Sequence, residues 1–401
     1  MNKVVVGANY GDEGKGLMTA FFANGAGLGP QSIPCRADAV VRYNGGAQAG
    51  HTVELPSGHR LVFSHFGAGT CRNVPTILSH HFMIDPLRFS IERHTVSNFD
   101  PVVFADPLAP VALPCDGLIN RTIERHRGAN RHGSVGAGYG EAVARTNSGA
   151  LFTMSDLWNT TAEVLSQRML DVSVDHVLAH TTLPSEYKSS SIGMLAEYHK
   201  SAAFIELLHE CASQISPVDV TMYRDGHLVM EGAQGLALHM DRGDFPHVTY
   251  SDTGASNAMA LLRDNVHPTH VVYVTRPYIT RHGAGPLQYE QPLPHVTRFH
   301  DATNVPNEFQ GRLRLGLLDV NALAARIQKD VASLPWEPNQ VTIAVTCCDQ
   351  IDVGQYSYVC DGNVRVNATY ADMFGDIARI TGFDVSHASR GPCIHDVFDI
   401  A

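Results

Sequence analysis

The sequence predicts an α/β protein, a single large domain in which helices flank a central, mainly parallel β-sheet. Short runs of β-branched residues alternate with helical patterns along the chain, an order typical of parallel strands joined by crossover helices. No segment rich in Pro, Gly or Ser divides the 401 residues into regions of different composition. We therefore expect one domain over residues 1–401.

Each predicted element follows from its own apolar pattern. The predicted strands are 3–6, 39–43, 60–64, 102–104, 228–231, 270–275, 341–346 and 384–387. The predicted helices, in which apolar residues recur every three or four positions, are 154–171, 200–215, 320–334 and 370–381. Two strand-like runs between residues 355 and 367 flank Asp361-Gly362, which predicts a small β-hairpin.

Charge and hydropathy exclude several classes of partner. The chain has 29 Lys and Arg against 40 Asp and Glu, a formal net charge of −11, and its basic residues are scattered. A nucleic-acid binder would need a basic stripe, so we expect no nucleic-acid partner. The sequence contains no long apolar run that could span a membrane, and its start lacks the pattern of a signal peptide. These features predict a cytoplasmic protein without a membrane partner.

The cysteine pattern indicates free thiols. The eight cysteines are spread through apolar segments, and none forms a Cys-x-x-Cys pair. We therefore expect buried, unpaired cysteines rather than disulfides or a cysteine-based zinc site.

A glycine-rich loop after the first strand predicts a P-loop-like phosphate site. Residues 7–16 read Gly-Ala-Asn-Tyr-Gly-Asp-Glu-Gly-Lys-Gly and precede a helix-compatible segment. A strand, a glycine-rich turn and a helix N-terminus bring backbone N–H groups and a lysine to one point. Gly16 stands where a Walker loop has the hydroxyl that binds Mg²⁺, so another group must hold a metal. Asp12 would repel phosphates unless a cation or a proton-transfer role compensates for its charge.

A second glycine-rich segment follows the second strand and ends in a histidine. Residues 45–52 read Gly-Gly-Ala-Gln-Ala-Gly-His-Thr. Glycines let the backbone approach a ligand closely, and imidazole exchanges protons near neutral pH. His51 is therefore predicted to be a functional residue rather than a surface histidine.

These motifs together resemble the adenylosuccinate synthetase family. The match includes residues 11–16 and 45–52, then Glu-Gly-Ala-Gln-Gly at 231–235, and further segments in the same order at 280–286, 311–319, 346–349 and 389–392. The resemblance spans essentially the whole chain. It implies a ligase that joins L-aspartate to C6 of IMP at the expense of GTP, with Mg²⁺, in a homodimer.

The resemblance also implies catalytic roles. Asp12 matches the base that removes the purine N1 proton, so that O6 attacks the γ-phosphate and forms a 6-phosphoryl intermediate. Asp12 and the Gly50 carbonyl match the Mg²⁺ ligands, and His51 matches the acid beside the transferring phosphoryl group. Lys15 matches the lysine that offsets phosphate charge.

The same resemblance implies binding residues. Those for the nucleotide and its phosphates are Gly11, Glu13, Gly14, Gly16, Gly50, Thr52, Asp349, Ser389 and Gly391. Those for the mononucleotide and L-aspartate are Gln48, Ser134, Val135, Arg145, Gln234, Thr249, Arg312 and Arg314. Arg145 matches an arginine that reaches the monophosphate of the neighbouring subunit, which is the basis for expecting a homodimer.

Several positions depart from the family pattern. Cys347 replaces a lysine that packs on the guanine ring, although Asp349, which would accept hydrogen bonds from guanine, is present. The aspartate loop at 309–315 lacks a Thr-Thr pair. At the nucleotide site, Gln48 replaces Asn, Val135 replaces Thr and Ala137 replaces Arg. Each uncompensated loss of a hydroxyl or cation at an anion site would cost about 1–3 kcal/mol, so these departures indicate altered substrates.

Three alternatives accompany the ligase hypothesis. One is a phage branch of the same family, which uses dGMP with ATP or dATP but commonly has a small residue where this chain keeps Asp12. Another is a nucleotide-binding regulator with little turnover, although a pure binder needs no acid and base pair. An ordinary kinase or NTPase is disfavoured by Gly16.

Overall fold

The computed structural model describes residues 1–25, 36–132, 134, 136–299 and 312–400. Its strands are β1 (Asn2–Gly7), β2 (Ala39–Arg42), β3 (His51–Glu54), β4 (Arg60–Phe63), β5 (Thr76–Leu78), β6 (Val103–Ala105), β7 (Ser216–Pro217), β8 (Leu228–Glu231), β9 (Thr269–Thr275), β10 (Tyr278–His282), β11 (Leu313–Asp319), β12 (Gln340–Val345), β13 (Tyr356–Cys360), β14 (Asn363–Ala368), β15 (Val385–Ser389) and β16 (Val397–Asp399). Its helices are α1 (Lys15–Ala23), α2 (Pro86–Thr95), α3 (Pro114–Arg127), α4 (Tyr139–Asn147), α5 (Met154–Asn159), α6 (Ala162–Ala179), α7 (Ser185–His199), α8 (Ala202–Ser213), α9 (Ser256–Leu261), α10 (Val320–Ala332) and α11 (Tyr370–Thr381).

A ten-stranded sheet forms the centre of the molecule, in the order β16-β15-β12-β9-β1-β8-β2-β5-β6-β7. All neighbouring pairs are parallel except β15 and β16. Successive residues of β1 alternate between two apolar clusters: Val5 packs with α1 on one face, whereas Val4 and Val6 pack with α10 and α11 on the other. Burial of β1 on both faces explains why Val4, Val5 and Val6 form an unbroken apolar run. The predicted fold class is confirmed.

The predicted hairpin is also confirmed. Strands β13 and β14 pair antiparallel and belong to a smaller sheet with β10 and β11. Asp361 and Gly362 both have positive φ angles, 50° and 72°, the conformation that a two-residue hairpin turn requires.

Two predicted elements differ from the structure. The strand at 60–64 is present as β4, but it pairs only with β3 in a separate two-stranded sheet. The helix at 154–171 is divided into α5 and α6, because Thr160 and Thr161 are extended. The indole N–H of Trp158 donates to the carbonyls of Ala212 and Ile215 and holds α5 against α8.

The thiol prediction is confirmed for the part of the chain that the structure describes. Its cysteines are all free, most of them buried, and Cys347 and Cys393 are partly exposed. Cys35 lies outside the described residues. None of the described helices combines the length and hydropathy that crossing a bilayer requires.

The parallel arrangement places the glycine-rich segments at one edge of the sheet. Strands β1, β2 and β8 are neighbours with the same direction, so their carboxyl ends lie side by side. The loop after β1, the segment after β2 and the Gln234 loop after β8 therefore meet there. Open parallel sheets typically bind ligands outside this edge.

Candidate active site

A cavity of about 460 Å³ opens at this edge of the sheet. Asp12, His51, Gln234 and Thr249 all line it. The predicted site residues that line the cavity are Gly11, Asp12, Gln48, Gly50, His51, Ser134, Gln234 and Thr249. Motifs that are far apart in the sequence thus contribute to one ligand-sized space.

The remaining predicted residues lie elsewhere. Glu13, Gly14, Lys15, Gly16, Thr52, Arg145, Arg312, Arg314, Asp349, Ser389 and Gly391 are not part of the cavity lining. Val135 lies outside the described residues.

Glycines shape the loop between β1 and α1. Gly11 (φ 111°) and Gly14 (φ 83°) adopt left-handed conformations that other residues rarely take. A side chain at Gly16 would lie 2.9 Å from the Thr52 carbonyl and 3.0 Å from the His51 Cβ. The start of α1 therefore packs directly on β3, which explains why a glycine replaces the Walker hydroxyl and why His51 lies beside the loop.

Glu13 and Lys15 form an ion pair inside this loop. Glu13 Oε1 accepts hydrogen bonds from the N–H groups of Asn9 (3.1 Å) and Gly11 (2.8 Å). Lys15 Nζ donates to the Gly11 carbonyl (2.5 Å) and lies 3.6 Å from Glu13 Oε2. Burial raises the pKa of Glu13 and lowers that of Lys15. Two loop N–H groups expected to face a phosphate are thus occupied, and the contact of Lys15 with phosphate stays a prediction.

His51 is held by a buried carboxylate. Its Nδ1 lies 2.6 Å from Glu231 Oε1, whereas its Nε2 has no hydrogen-bond partner among the described residues. Burial lowers the pKa of His51 to about 4 against the opposing charge of Glu231. Burial alone would raise the pKa of Glu231, but His51 and Arg42 bring it below its ordinary value. A neutral ring therefore donates Nδ1–H to a charged carboxylate, and Nε2 is left as an acceptor for a ligand.

Gln48 also offers unused polar atoms to the cavity. Its Oε1 and Nε2 are both buried and make no hydrogen bond to the described part of the chain. Leaving a buried amide unpaired is costly, so such a group in a cavity indicates a ligand contact. The neighbouring Asn44 is by contrast structural, because its Oδ1 accepts from the Ala233 N–H at 2.6 Å.

Oxygen ligands for Mg²⁺ are available at this site. Asp12 supplies a carboxylate and Gly50 a backbone carbonyl, and both residues line the cavity. Mg²⁺ is bound in proteins by one or two such oxygens together with substrate phosphates and water. The donor set therefore fits the predicted ion.

The residues predicted to read the donor base lie along the same sheet edge. The Thr346 hydroxyl donates to the Glu13 carbonyl (2.7 Å), which joins the end of β12 to the phosphate loop. The Cys347 N–H donates to Ser389 Oγ at 3.2 Å, and burial raises the pKa of the nearby Asp349. Gly391 is packed so closely on Asp396 that a Cβ would lie 2.3 Å from its Oδ2. Cys347 therefore lies beside residues that the family resemblance assigns to the donor nucleotide.

The structure does not support the prediction for Arg145. Its guanidinium is fully buried and forms two hydrogen bonds to the Asp116 carboxylate, at 2.9 and 3.0 Å. Its remaining donors reach the carbonyls of Ala150 and Val111. Arg145 is therefore a structural residue that joins α4 to α3, and its guanidinium is buried within the chain, where a ligand of a neighbouring subunit would not reach it.

Arg314 is likewise engaged within the chain. It pairs with Glu290 (2.7 Å) and donates to the carbonyls of Gly283 and Gly285. Arg312 is exposed just before β11, next to residues outside the described ranges. The structure therefore brings neither arginine to the cavity.

Sequence analysis missed several cavity residues. Arg88 of α2, Arg127 of α3 and Arg281 of β10 line the cavity, and they pair with Asp85, Glu124 and Asp244, respectively. No motif marks the first two, since they reach the site only through tertiary packing. Glu231 begins the motif at 231–235, but its contact with His51 could not be predicted from a local pattern, because the two residues are 180 positions apart.

Comparison with protein families gives a match over most of the chain. The model described as adenylosuccinate synthetase matches residues 4–333. Two curated relatives of that name are similar over 298 residues, 72% of this chain: one from Baumannia cicadellinicola (29% identical) and one from Vibrio parahaemolyticus (28% identical). The match spans 65% and 64% of the lengths of these two relatives, respectively.

Two solved structures share the fold. Fully ligated adenylosuccinate synthetase from Plasmodium falciparum superposes with a TM-score of 0.72 at 17% identity and covers all of both chains. Succinoaminodeoxyadenylate synthetase of cyanophage S-2L, bound to dGMP and dATP, gives a TM-score of 0.61 at 16% identity and covers 99% of this chain and 94% of its own.

Proposed function

This chain belongs to the adenylosuccinate synthetase family, and we propose that it is a ligase that joins L-aspartate to C6 of a 6-oxopurine mononucleotide. A nucleoside triphosphate drives the reaction through a 6-phosphoryl intermediate, with IMP and GTP as the first substrates to test. The observation that carries this proposal is the presence of Asp12 and His51 on the walls of one cavity.

Asp12 is the proposed base. The oxygen at C6 of the purine is a poor leaving group, so it must first become a phosphate ester. Removal of the N1 proton by the Asp12 carboxylate gives O6 the negative charge with which it attacks the γ-phosphate. Asp12 lies in the turn between β1 and the N-terminus of α1, whose dipole favours a bound phosphate.

His51 is the proposed acid, and to act as one its ring must gain a second proton. Its ring is neutral, with Nδ1–H held by Glu231 and Nε2 unpartnered among the described residues. A transferring phosphoryl group beside Nε2 would favour the second proton on the ring, because its negative charge offsets the cost of burying the cation. Glu231 stabilises the same imidazolium from the opposite side.

The monophosphate would lie beside the polar residues that α3 and the segment after it contribute to the cavity. Arg127 and Ser134 line the cavity, as do Arg88 and Arg281. Each of these arginines already pairs with a carboxylate. A guanidinium can bind two phosphate oxygens at once, so to replace the cation that is lost at Ala137 an arginine would exchange that carboxylate for the monophosphate. Mg²⁺ held by Asp12 and Gly50 would supply further positive charge to the phosphates.

A direct assay tests the proposal. Purified protein is given L-aspartate, Mg²⁺, IMP or dGMP, and each of GTP, ATP and dATP, and product is followed by absorbance and mass spectrometry. We expect an aspartate adduct of the purine and inorganic phosphate with at least one combination. The absence of an adduct with every combination, from protein that retains its fold, would contradict the ligase proposal.

A second substrate pair is supported by a specific observation. Cys347 occupies the position that the family resemblance gives to a guanine-stacking lysine, and its backbone N–H donates to Ser389. Without that lysine we expect weaker discrimination in favour of guanine. The cyanophage relative in fold binds dGMP and dATP. The alternative reaction therefore joins L-aspartate to dGMP with ATP or dATP, and the nucleotide arms of the same assay distinguish the two.

A further inference from the structure

A cluster of two histidines and one glutamate adjoins the cavity, because its glutamate, Glu141, is one of the lining residues. His176 lies in the last turn of α6, His180 directly follows that helix, and Glu141 belongs to the first turn of α4. The two imidazole rings are neighbours, with centroids 5.5 Å apart. The ligand atoms of the three residues all lie within 4.8 Å of one another.

The contacts within this cluster leave one donor atom unused. Glu141 Oε2 lies 2.7 Å from His180 Nε2 and 3.9 Å from His176 Nε2. His176 is only 6% exposed, and its Nε2 makes no hydrogen bond to any described residue. Burial also lowers the pKa of His176, which keeps the ring neutral. A buried, unpaired imidazole nitrogen beside a carboxylate indicates a missing ligand.

We propose that Glu141, His176 and His180 bind a divalent transition-metal ion of the Zn²⁺ type. Imidazole and carboxylate are the ligands that such an ion prefers, and two histidines with one acid form a recurrent zinc set. All three side chains offer lone pairs to one point, which favours a cation. The nearby guanidinium of Arg145 is neutralised by its own pair with Asp116.

The distances are compatible with a metal after small side-chain shifts. Zinc lies about 2.0–2.1 Å from each ligand atom, so ligand atoms of a tetrahedral site are about 3.3 Å apart. The distance from Glu141 Oε2 to His180 Nε2 would increase from 2.7 Å, and the distance to His176 Nε2 would decrease from 3.9 Å. Both changes are within the reach of side-chain rotation. Water would complete the coordination.

Binding has one identifiable cost. His180 Nδ1 accepts from the Leu183 N–H at 3.2 Å and lies 3.3 Å from the Thr182 hydroxyl, so the ring proton now lies on Nε2. A metal at Nε2 moves that proton to Nδ1, where the Thr182 hydroxyl can accept it and the Leu183 N–H loses its partner.

The site can be tested without substrates. Chelator-treated protein is titrated with Zn²⁺ by calorimetry and with Co²⁺ by visible spectroscopy. We expect one tight site with the absorption of four- or five-coordinate Co²⁺ and without a sulfur-to-metal band. Each of H176Q, H180A and E141Q removes one metal ligand. We expect each to weaken Zn²⁺ binding by at least about 10- to 100-fold, the usual effect of removing a residue that only hydrogen-bonds to a ligand.

Matched controls separate this site from the many other histidines. H209A removes a partly exposed histidine of α8 and is expected to keep the site. Circular dichroism without metal establishes which variants fold, and H180A covers the case in which the buried His176 cannot be replaced. Absence of a tight site in the unmodified protein, or equal affinity in the folded ligand variants, would overturn the proposal.

Discussion

Asp12 is the residue on which the proposed chemistry depends. The D12N variant keeps the shape of the side chain but cannot accept the N1 proton. We expect nucleotide binding to remain while turnover falls by about 100- to 10,000-fold, the usual contribution of a general base. Calorimetric binding and steady-state rates measure the two quantities. D241N, which changes an exposed aspartate outside the cavity lining, serves as the control and is expected to keep both.

His51 makes stability depend on pH. Its pKa of about 4 in the folded chain lies below the ordinary value of 6.5 because the ring is buried, so between these values the unfolded chain binds more protons. The stabilisation is complete above about pH 6.5 and is lost as the pH falls towards 4.

The H51Q variant measures this contribution. Between about pH 7.5 and pH 5, the free energy of unfolding of the unmodified protein should fall by about 2 kcal/mol more than that of H51Q. Urea unfolding at the two pH values gives both differences. An equal loss in the two proteins would mean that the pKa of His51 is the same in the folded and the unfolded chain.

Arg145 distinguishes a structural role from a substrate-binding role. Its removal in R145A leaves the Asp116 carboxylate buried without its partner, so we expect a loss of about 3–5 kcal/mol in the free energy of unfolding. Urea unfolding measures this loss. A variant with unchanged stability and a raised KM for the mononucleotide would instead favour the contact across subunits that the family resemblance implies.

Among the secondary-structure elements, the packing of α1 on β3 determines where His51 lies. A side chain in G16S would meet the Thr52 carbonyl and the His51 Cβ at about 3 Å. We expect a loss of about 1–3 kcal/mol in stability and a lower kcat, since His51 moves with β3. Unfolding curves and steady-state rates test both effects.

A second glycine provides the matched control for this element. Gly193 lies within α7, and a Cβ there would meet no atom within 4 Å. G193A should leave kcat unchanged and stabilise the protein by up to about 1 kcal/mol, since alanine favours helix. If G16S keeps the stability and kcat of the unmodified protein, the close packing of α1 on β3 is not what positions His51.

Local sequence patterns predicted some elements and missed others for a physical reason. The strands β1, β8 and β9 are apolar on both faces and were recognised within one residue at each end. Helices α3 and α4 are polar over most of their surface, and only a few positions such as Ile119 and Ile123 are buried. A narrow apolar stripe is easily lost among charged residues, which is why these helices and Arg127 were not predicted.

At the scale of the whole molecule, the sequence predicted that Asp12 and His51 belong to the site but not which distant residues contact the predicted site residues. Asp12 and His51 belong to local motifs, so their function could be predicted from glycine spacing and family resemblance. The pair of His51 with Glu231 and that of Arg145 with Asp116 depend on contacts between distant segments. The homodimer, which was inferred from Arg145 alone, stays a prediction, as do Mg²⁺ and the cytoplasmic location.

The central claim is that O6 of the purine is phosphorylated before the amine of aspartate displaces it. The most direct test uses the mononucleotide labelled with oxygen-18 at C6, with L-aspartate and the triphosphate that supports turnover. If the claim is correct, the label appears in the inorganic phosphate in proportion to the aspartate adduct, and D12N forms both about 100- to 10,000-fold more slowly. Adduct formation that leaves the released phosphate unlabelled would contradict it.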